Sequence, residues 1–193
     1  SEGPGSFTGI RIGMATGKAL AQALDLPVIS VPTLRSFCFN APDFKGLICP
    51  LFDARRQQVY AGAYSREGNS CLQAVGDDAW YIEDFLSAVQ EYTKKNEMDL
   101  LFFGDGVEIY KDTIRQWAIS LKRLSPNDDM SRLIAKPGQR MQRAASVAMA
   151  AMQIAQAGGT GSYDSITPVY LRKAEAERKL EQRKAVEAKG NTE

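Results

Sequence analysis

The residues best placed to do chemistry lie in the run GPGSFTGIRIGMATGKAL, at positions 3–20. A glycine-rich turn that feeds a helix presents free backbone N–H groups and the positive end of the helix dipole, an arrangement that suits an anion. Gly3, Gly5 and Ser6 are the residues there that would touch a phosphate. The run is not a Walker A loop, because no Gly-Lys-Ser/Thr closes it. Nor is it a GxGxxG fingerprint, since no glycine follows Gly5 at the required spacing. A plain turn with a helix cap from Ser6 or Thr8 explains the same residues.

Other chemistries are excluded by composition. The 193 residues contain no histidine, the usual proton shuttle near neutral pH and the commonest side-chain metal ligand. A Ser-His-Asp or Cys-His site and a His-ligated metal centre therefore cannot be built. The paired carboxylates Asp128 and Asp129 sit in a polar stretch that reads as loop. Cys38, Cys49 and Cys71 are far apart, odd in number and without a Cys-x-x-Cys pair, which argues against structural zinc. They read as three free thiols of a reducing compartment, at least two of them buried. No catalytic residue, metal or cofactor is assigned. Lys plus Arg number 24 against 23 Asp plus Glu, so the charge gives no reason to expect direct, strong nucleic-acid binding. No secretory signal is visible, and no apolar run reaches the length of a membrane span.

A helix from about residue 8 to Leu24, ended by Asp25 and Pro27, must carry the glycine turn. Within it Gly9, Gly13 and Gly17 recur every four residues, with Ala21 continuing the row, so they share one stripe. Each costs roughly 1 kcal/mol against alanine in a helix interior, and close approach of another backbone is the natural compensation. That backbone belongs either to the protein's own sheet or to a helix of another chain. Val28–Val31 reads as a short buried strand, and Pro32 and Thr33 open a second helix over Leu34–Phe39.

Pro42 and Asp43 break the pattern, placing a boundary at 40–45. Strands are expected at 46–52, 59–64 and 71–75, with turns at 53–57 and 66–69. An amphipathic helix follows at 82–94, a strand at 100–103, a helix from the Gly104-Asp105-Gly106 turn to Trp117, and an Ala- and Met-rich helix at 139–157. Residues 163–168 are loop. From Leu171 the chain is highly charged and reads as a solvated helix, with disorder from about Lys189. Strands alternating with helices in this order indicate an α/β fold.

GPGSFTGIRIG followed by a helix and PVISVPTL resembles the TsaB family. So do DARRQQVYAGAY at 53–64, GDGVEIY at 104–110 and PVYLRKAEAE at 168–177, in the family's order along nearly the whole chain. The resemblance implies the actin-like ATPase (ASKHA) fold: two RNase-H-like subdomains face to face, here 1–42 and 43–170, with a charged helix and tail at 171–193. Family members carry three strands and a helix before GPGSFTG. The chain starts mid-motif, so upstream sequence is expected and the first subdomain is truncated at its N-terminus.

The resemblance further implies a non-catalytic scaffold that pairs with a TsaD-like transferase subunit to form threonylcarbamoyladenosine on tRNA, in the cytoplasm. A TsaE-like ATPase and a TsaC-like synthase complete the pathway. A second copy of the chain is the implied partner when it is alone, and tRNA is reached only through the complex. Gly9, Ile10, Gly13, Met14, Gly17 and Ala21 would form the contact. Gly104 and Gly106 resemble the family's adenosine-side glycines, although a turn opening a helix explains them equally well. The histidine pair of TsaD is replaced by Pro32–Phe37, and its phosphate hairpin by Asp53-Ala54-Arg55-Arg56. There Asp53 puts negative charge where a phosphate would sit, and the arginines read as exposed turn charges. The alternative is an actin-fold enzyme acting alone, as a glycoprotease-like peptidase or an ATP-dependent kinase.

Overall fold

The computed structural model describes residues 1–68, 70–96 and 98–172. The charged helix and tail expected beyond Arg172 lie outside the described residues.

At the centre is a four-stranded sheet in the order β3-β2-β1-β4. β1 (Leu47–Asp53), β2 (Gln58–Glu67) and β3 (Ser70–Tyr81) form an antiparallel meander, and β4 (Leu100–Phe103) joins β1 in parallel after a helical crossover. Period-two alternation sends β1 side chains to two separate cores. Leu47, Cys49 and Leu51 face α2 (Ile82–Asn96) and α4 (Lys111–Ser120), meeting Phe85, Val89 and Ile114. Ile48 faces the other way, towards Phe37 of a 3-10 helix (Leu34–Phe39) and Ala150 of α6 (Ala144–Gln156). The sheet is thus covered on both faces, which explains why β1 reads as a continuous apolar run.

Several sequence expectations are corrected. Val28–Val31 is not a ladder strand. Val28 makes one bridge to Gly161, and Pro32 makes one to Gly3. Pro27 and Pro32 flank the segment and have no N–H to donate. β3 runs to Tyr81, well past Val75, because Gly76, Asp77 and Asp78 hide an extended backbone behind turn-like residue types. The helix expected from 106 is two pieces, α3 (Gly106–Ile109) and α4, hinged at Tyr110.

The helix expected at 139–157 is also two pieces, α5 (Pro137–Arg140) and α6. Asn40 Nδ2 donates to the carbonyls of Gln139 and Met141, and the Gly104 N–H donates to that of Arg140. Those carbonyls are therefore not free to accept helical i→i+4 bonds.

The reading of three free thiols is corrected as well. Cys38 and Cys71 form a disulfide with Cα atoms 6.3 Å apart. It arises because the 3-10 helix lies against the start of β3, a contact between residues 33 apart in sequence. All three cysteines are buried, and only Cys49 is free. Burial pushes the Cys49 thiol far above its ordinary pKa.

Candidate functional site

The helix α1 (Phe7–Leu24) forms as its sequence predicts. Ser6 supplies the N-cap, its Oγ accepting the Gly9 N–H at 3.4 Å. At the other end Asp25 takes a left-handed conformation and its N–H closes on Ala21 O.

What is unusual is how little α1 buries. Ala21 is its one buried residue. The apolar side chains of Ile12, Leu20 and Leu24 are 63 %, 58 % and 63 % exposed, where an ordinary surface helix would turn such a stripe inward. A Cβ built on Gly13 or Gly17 would meet no atom within 4 Å, and one on Gly9 would meet only Ser6 of its own turn. Among the described residues, then, the glycine row packs against no strand of its own sheet. Gly9, Gly13 and Gly17 instead line an open groove of about 510 Å³, with Ile10 and Met14 beside them and Ile29 and Thr33 across it. Ala21 lies outside that lining.

The candidate phosphate contacts are not gathered into one place. Gly5 and Ser6 line the groove, but Gly3 is buried and its carbonyl accepts the Thr33 N–H. Gly104 and Gly106 are buried and do not line it. Their need for glycine is explained by packing: a Cβ on Gly104, at φ +94°, would fall 2.0 Å from Leu51 O, and one on Gly106 would fall 2.6 Å from Leu51 Cδ1. The Gly104 N–H is committed to Arg140 O.

The β1–β2 turn holds its own acid. Asp53 Oδ1 accepts the Arg55 N–H at 2.8 Å, while Arg55, Arg56 and Gln57 all adopt left-handed backbone conformations. The arginines are exposed, as expected. Asp128 and Asp129 lie in loop, where they accept backbone N–H groups of Ser125 and Ser131. Among the described residues no group of three or more His, Cys, Asp and Glu side chains is placed to hold a metal. No helix among them is long and apolar enough to cross a membrane.

One feature of α1 escaped sequence reasoning. Arg11 lies 4.1 Å over the Phe7 ring, and its Nε donates to Tyr170 Oη at 2.8 Å. Phe7 and Tyr170 themselves sit 5.3 Å apart. This cation–aromatic clamp fastens the PVYLR segment to the first turns of α1. Its members are 159 residues apart, so no local spacing announces it.

Comparison with known proteins places the chain in a family. The protein-family model "TsaD: tRNA N6-adenosine threonylcarbamoyltransferase" matches residues 1–180. The tRNA threonylcarbamoyladenosine biosynthesis protein TsaB of Bacillus subtilis (strain 168) is 40 % identical over 114 residues, covering 59 % of this chain and 48 % of that protein. Its namesake in Escherichia coli (strain K12) is 28 % identical over 181 residues, covering 92 % and 71 %. The match therefore spans about half the length of the first relative. Among solved structures, a Pseudomonas aeruginosa protein described as similar to peptidase YEAZ superposes with a TM-score of 0.65 at 22 % identity, covering 89 % of this chain and 71 % of that one. YeaZ from Pseudomonas aeruginosa superposes with a TM-score of 0.59 at 20 % identity, covering 88 % and 71 %. At such identities these two speak for the fold alone, a mixed α/β arrangement. With nearly its whole length matched by the TsaD family model and its curated relatives named TsaB, the chain belongs to that family and is a TsaB/YeaZ-like protein.

Proposed function

We propose that the chain is a non-catalytic scaffold subunit in the cytoplasmic formation of threonylcarbamoyladenosine on tRNA, pairing with a TsaD-like transferase through α1. The observation that carries this reading is the bare face of α1. Three glycines cost roughly 3 kcal/mol of helix propensity in total, yet a Cβ at Gly13 or Gly17 would meet no atom of the described residues within 4 Å. A partner helix approaching along Gly9, Gly13 and Gly17, with Ile10 and Met14 at its flanks, would supply the missing contact. Ile12, Leu20 and Leu24 add exposed apolar surface of the kind that marks interaction sites. In this reading residues 1–42 belong to a first RNase-H-like subdomain and 43–170 to a second. A TsaE-like ATPase joins the assembly, tRNA is reached through the transferase, and a second copy of the chain occupies the same face when no transferase is present.

The test is co-purification of the chain with a TsaD-like subunit, followed by tRNA modification with and without it. A stable complex, and modification that needs both proteins, are expected. Modification by the transferase at full rate without this chain would refute the scaffold role. Calorimetry with ATP and magnesium tests the reading as an independent enzyme, for which tight binding and hydrolysis by the chain alone would be required.

A further inference from the structure

We propose that Cys71 is a thiol-exchange site, at which a small carboxylate-bearing thiol opens the Cys38–Cys71 disulfide and forms a mixed disulfide. The two cysteines differ in exposure. Cys38 is fully buried, whereas Cys71, at the start of β3, retains 8 % exposure. Cys71 also lines an open pocket of about 330 Å³, together with Arg35, Leu72, Gln153 and Ile154. That volume falls within the range that holds small organic ligands. Arg35 reaches into the same pocket and donates from Nη2 to Gln153 Oε1 at 3.2 Å. Its guanidinium draws a carboxylate into the pocket that Cys71 lines. Cys49, fully buried in the opposite core, offers an internal reference.

The exchange balances without any further reactant. A thiolate attacks Cys71 Sγ, forming the new S–S bond, and Cys38 leaves as thiolate and takes a proton. A second small thiol then attacks the bound sulfur of the first, releasing a small-molecule disulfide and the Cys71 thiolate, which is protonated. The net change is one protein disulfide and two thiols converted to two protein thiols and one small disulfide. In reverse, a low-molecular-weight disulfide closes the link. The link ties β3 to the 3-10 helix, whose N-cap Thr33 lines the α1 groove. The proposal does not depend on the partner reading.

The experiment uses the full chain prepared without reductant. It is exposed in parallel to reduced glutathione, which carries carboxylates, and to cysteamine, which carries none. After alkylation of free thiols, peptides are mapped by mass spectrometry. The expected result is an adduct on Cys71, with Cys38 alkylated and Cys49 untouched. Cys38→Ser, whose Cys71 is a free thiol, should be trapped as the Cys71 adduct by oxidised glutathione, with one reduced glutathione released, because no second thiol is left to resolve it. Arg35→Gln should slow glutathione by about tenfold and leave cysteamine unchanged. An adduct on Cys38, or Cys49 reacting as fast as Cys71, would overturn the proposal. So would alkylation of both Cys38 and Cys71 before any thiol is added. Mapping of the unsubstituted chain decides these outcomes whether or not the variants fold.

Discussion

Replacing Gly13 by leucine separates the two roles open to the glycine row. Leucine is a better helix former than glycine, by about 0.7 kcal/mol in a helix interior. If the row packed on the protein's own core, the added side chain would overpack it at a cost of about 1–3 kcal/mol. The structure removes that cost, since a Cβ at Gly13 has no neighbour within 4 Å among the described residues. The net effect on the chain is therefore a small gain. For a chain of this length about 1 kcal/mol moves the melting temperature by about 2–4 °C, so Gly13→Leu should raise it by about 2 °C, followed by far-ultraviolet circular dichroism. At a partner interface the same side chain meets a closely approaching helix. The 1–3 kcal/mol of overpacking then weakens association by about 5- to 150-fold, measured by calorimetry against a TsaD-like subunit. A melting temperature lowered by several degrees would show that something of the chain's own fills the groove. Unchanged affinity in a well-folded variant would remove Gly13 from the interface.

Other expectations follow from single contacts. The Cys38–Cys71 link closes a 33-residue separation, worth about 4 kcal/mol by chain entropy. Reductant should thus lower the melting temperature by about 8–15 °C, and an unchanged transition would deny the link a stabilising role. Burial raises the Asp77 pKa above 3.8, against the lowering effect of hydrogen bonds from Tyr64 and Gln73. The folded state therefore holds that proton more tightly than the unfolded chain does. Its contribution is full below pH 3.8 and is lost as pH rises through the raised value. Denaturant titrations should show this loss, Asp77→Asn should abolish it, and an identical slope in the variant would contradict the assignment. Gly104→Ala forces a Cβ to 2.0 Å from Leu51 O at φ +94°. Relieving that contact must shift β1 against β4, so a loss of at least about 2 kcal/mol is expected in urea unfolding; a neutral effect would place the glycine requirement elsewhere.

Local signals carried most of the fold. Strands β1, β2 and β4 and helix α2 follow from periodicity and turn residues, because their apolar faces meet the two cores directly, while α1 follows from its Ser6 cap and its end at Asp25. Legibility failed where a distant partner decides the outcome. Asn40 ends α5 by taking carbonyls about a hundred residues away, while the sequence from 139 to 157 is helix-forming throughout. The Cys38–Cys71 pairing and the Arg11–Tyr170 clamp are of the same kind. At the candidate site the four-residue glycine spacing was plain in the sequence, but not which way it faces. That orientation depends on what packs against α1, and α1 itself carries no record of it.

The shallow seating of α1 has a consequence for exchange and affinity. A helix of 18 residues with three glycines and one buried side chain is close to the length at which isolated helices are marginal in water. Its amide protons therefore open to solvent at a free energy below that of β1, whose five residues Leu47–Leu51 are all buried. Any protein that lands on α1 must also hold it closed, and its apparent affinity is scaled by the fraction of molecules in which the helix is formed. A substitution outside the groove lining, at the Tyr170 end of the clamp, then tunes association without altering the groove itself.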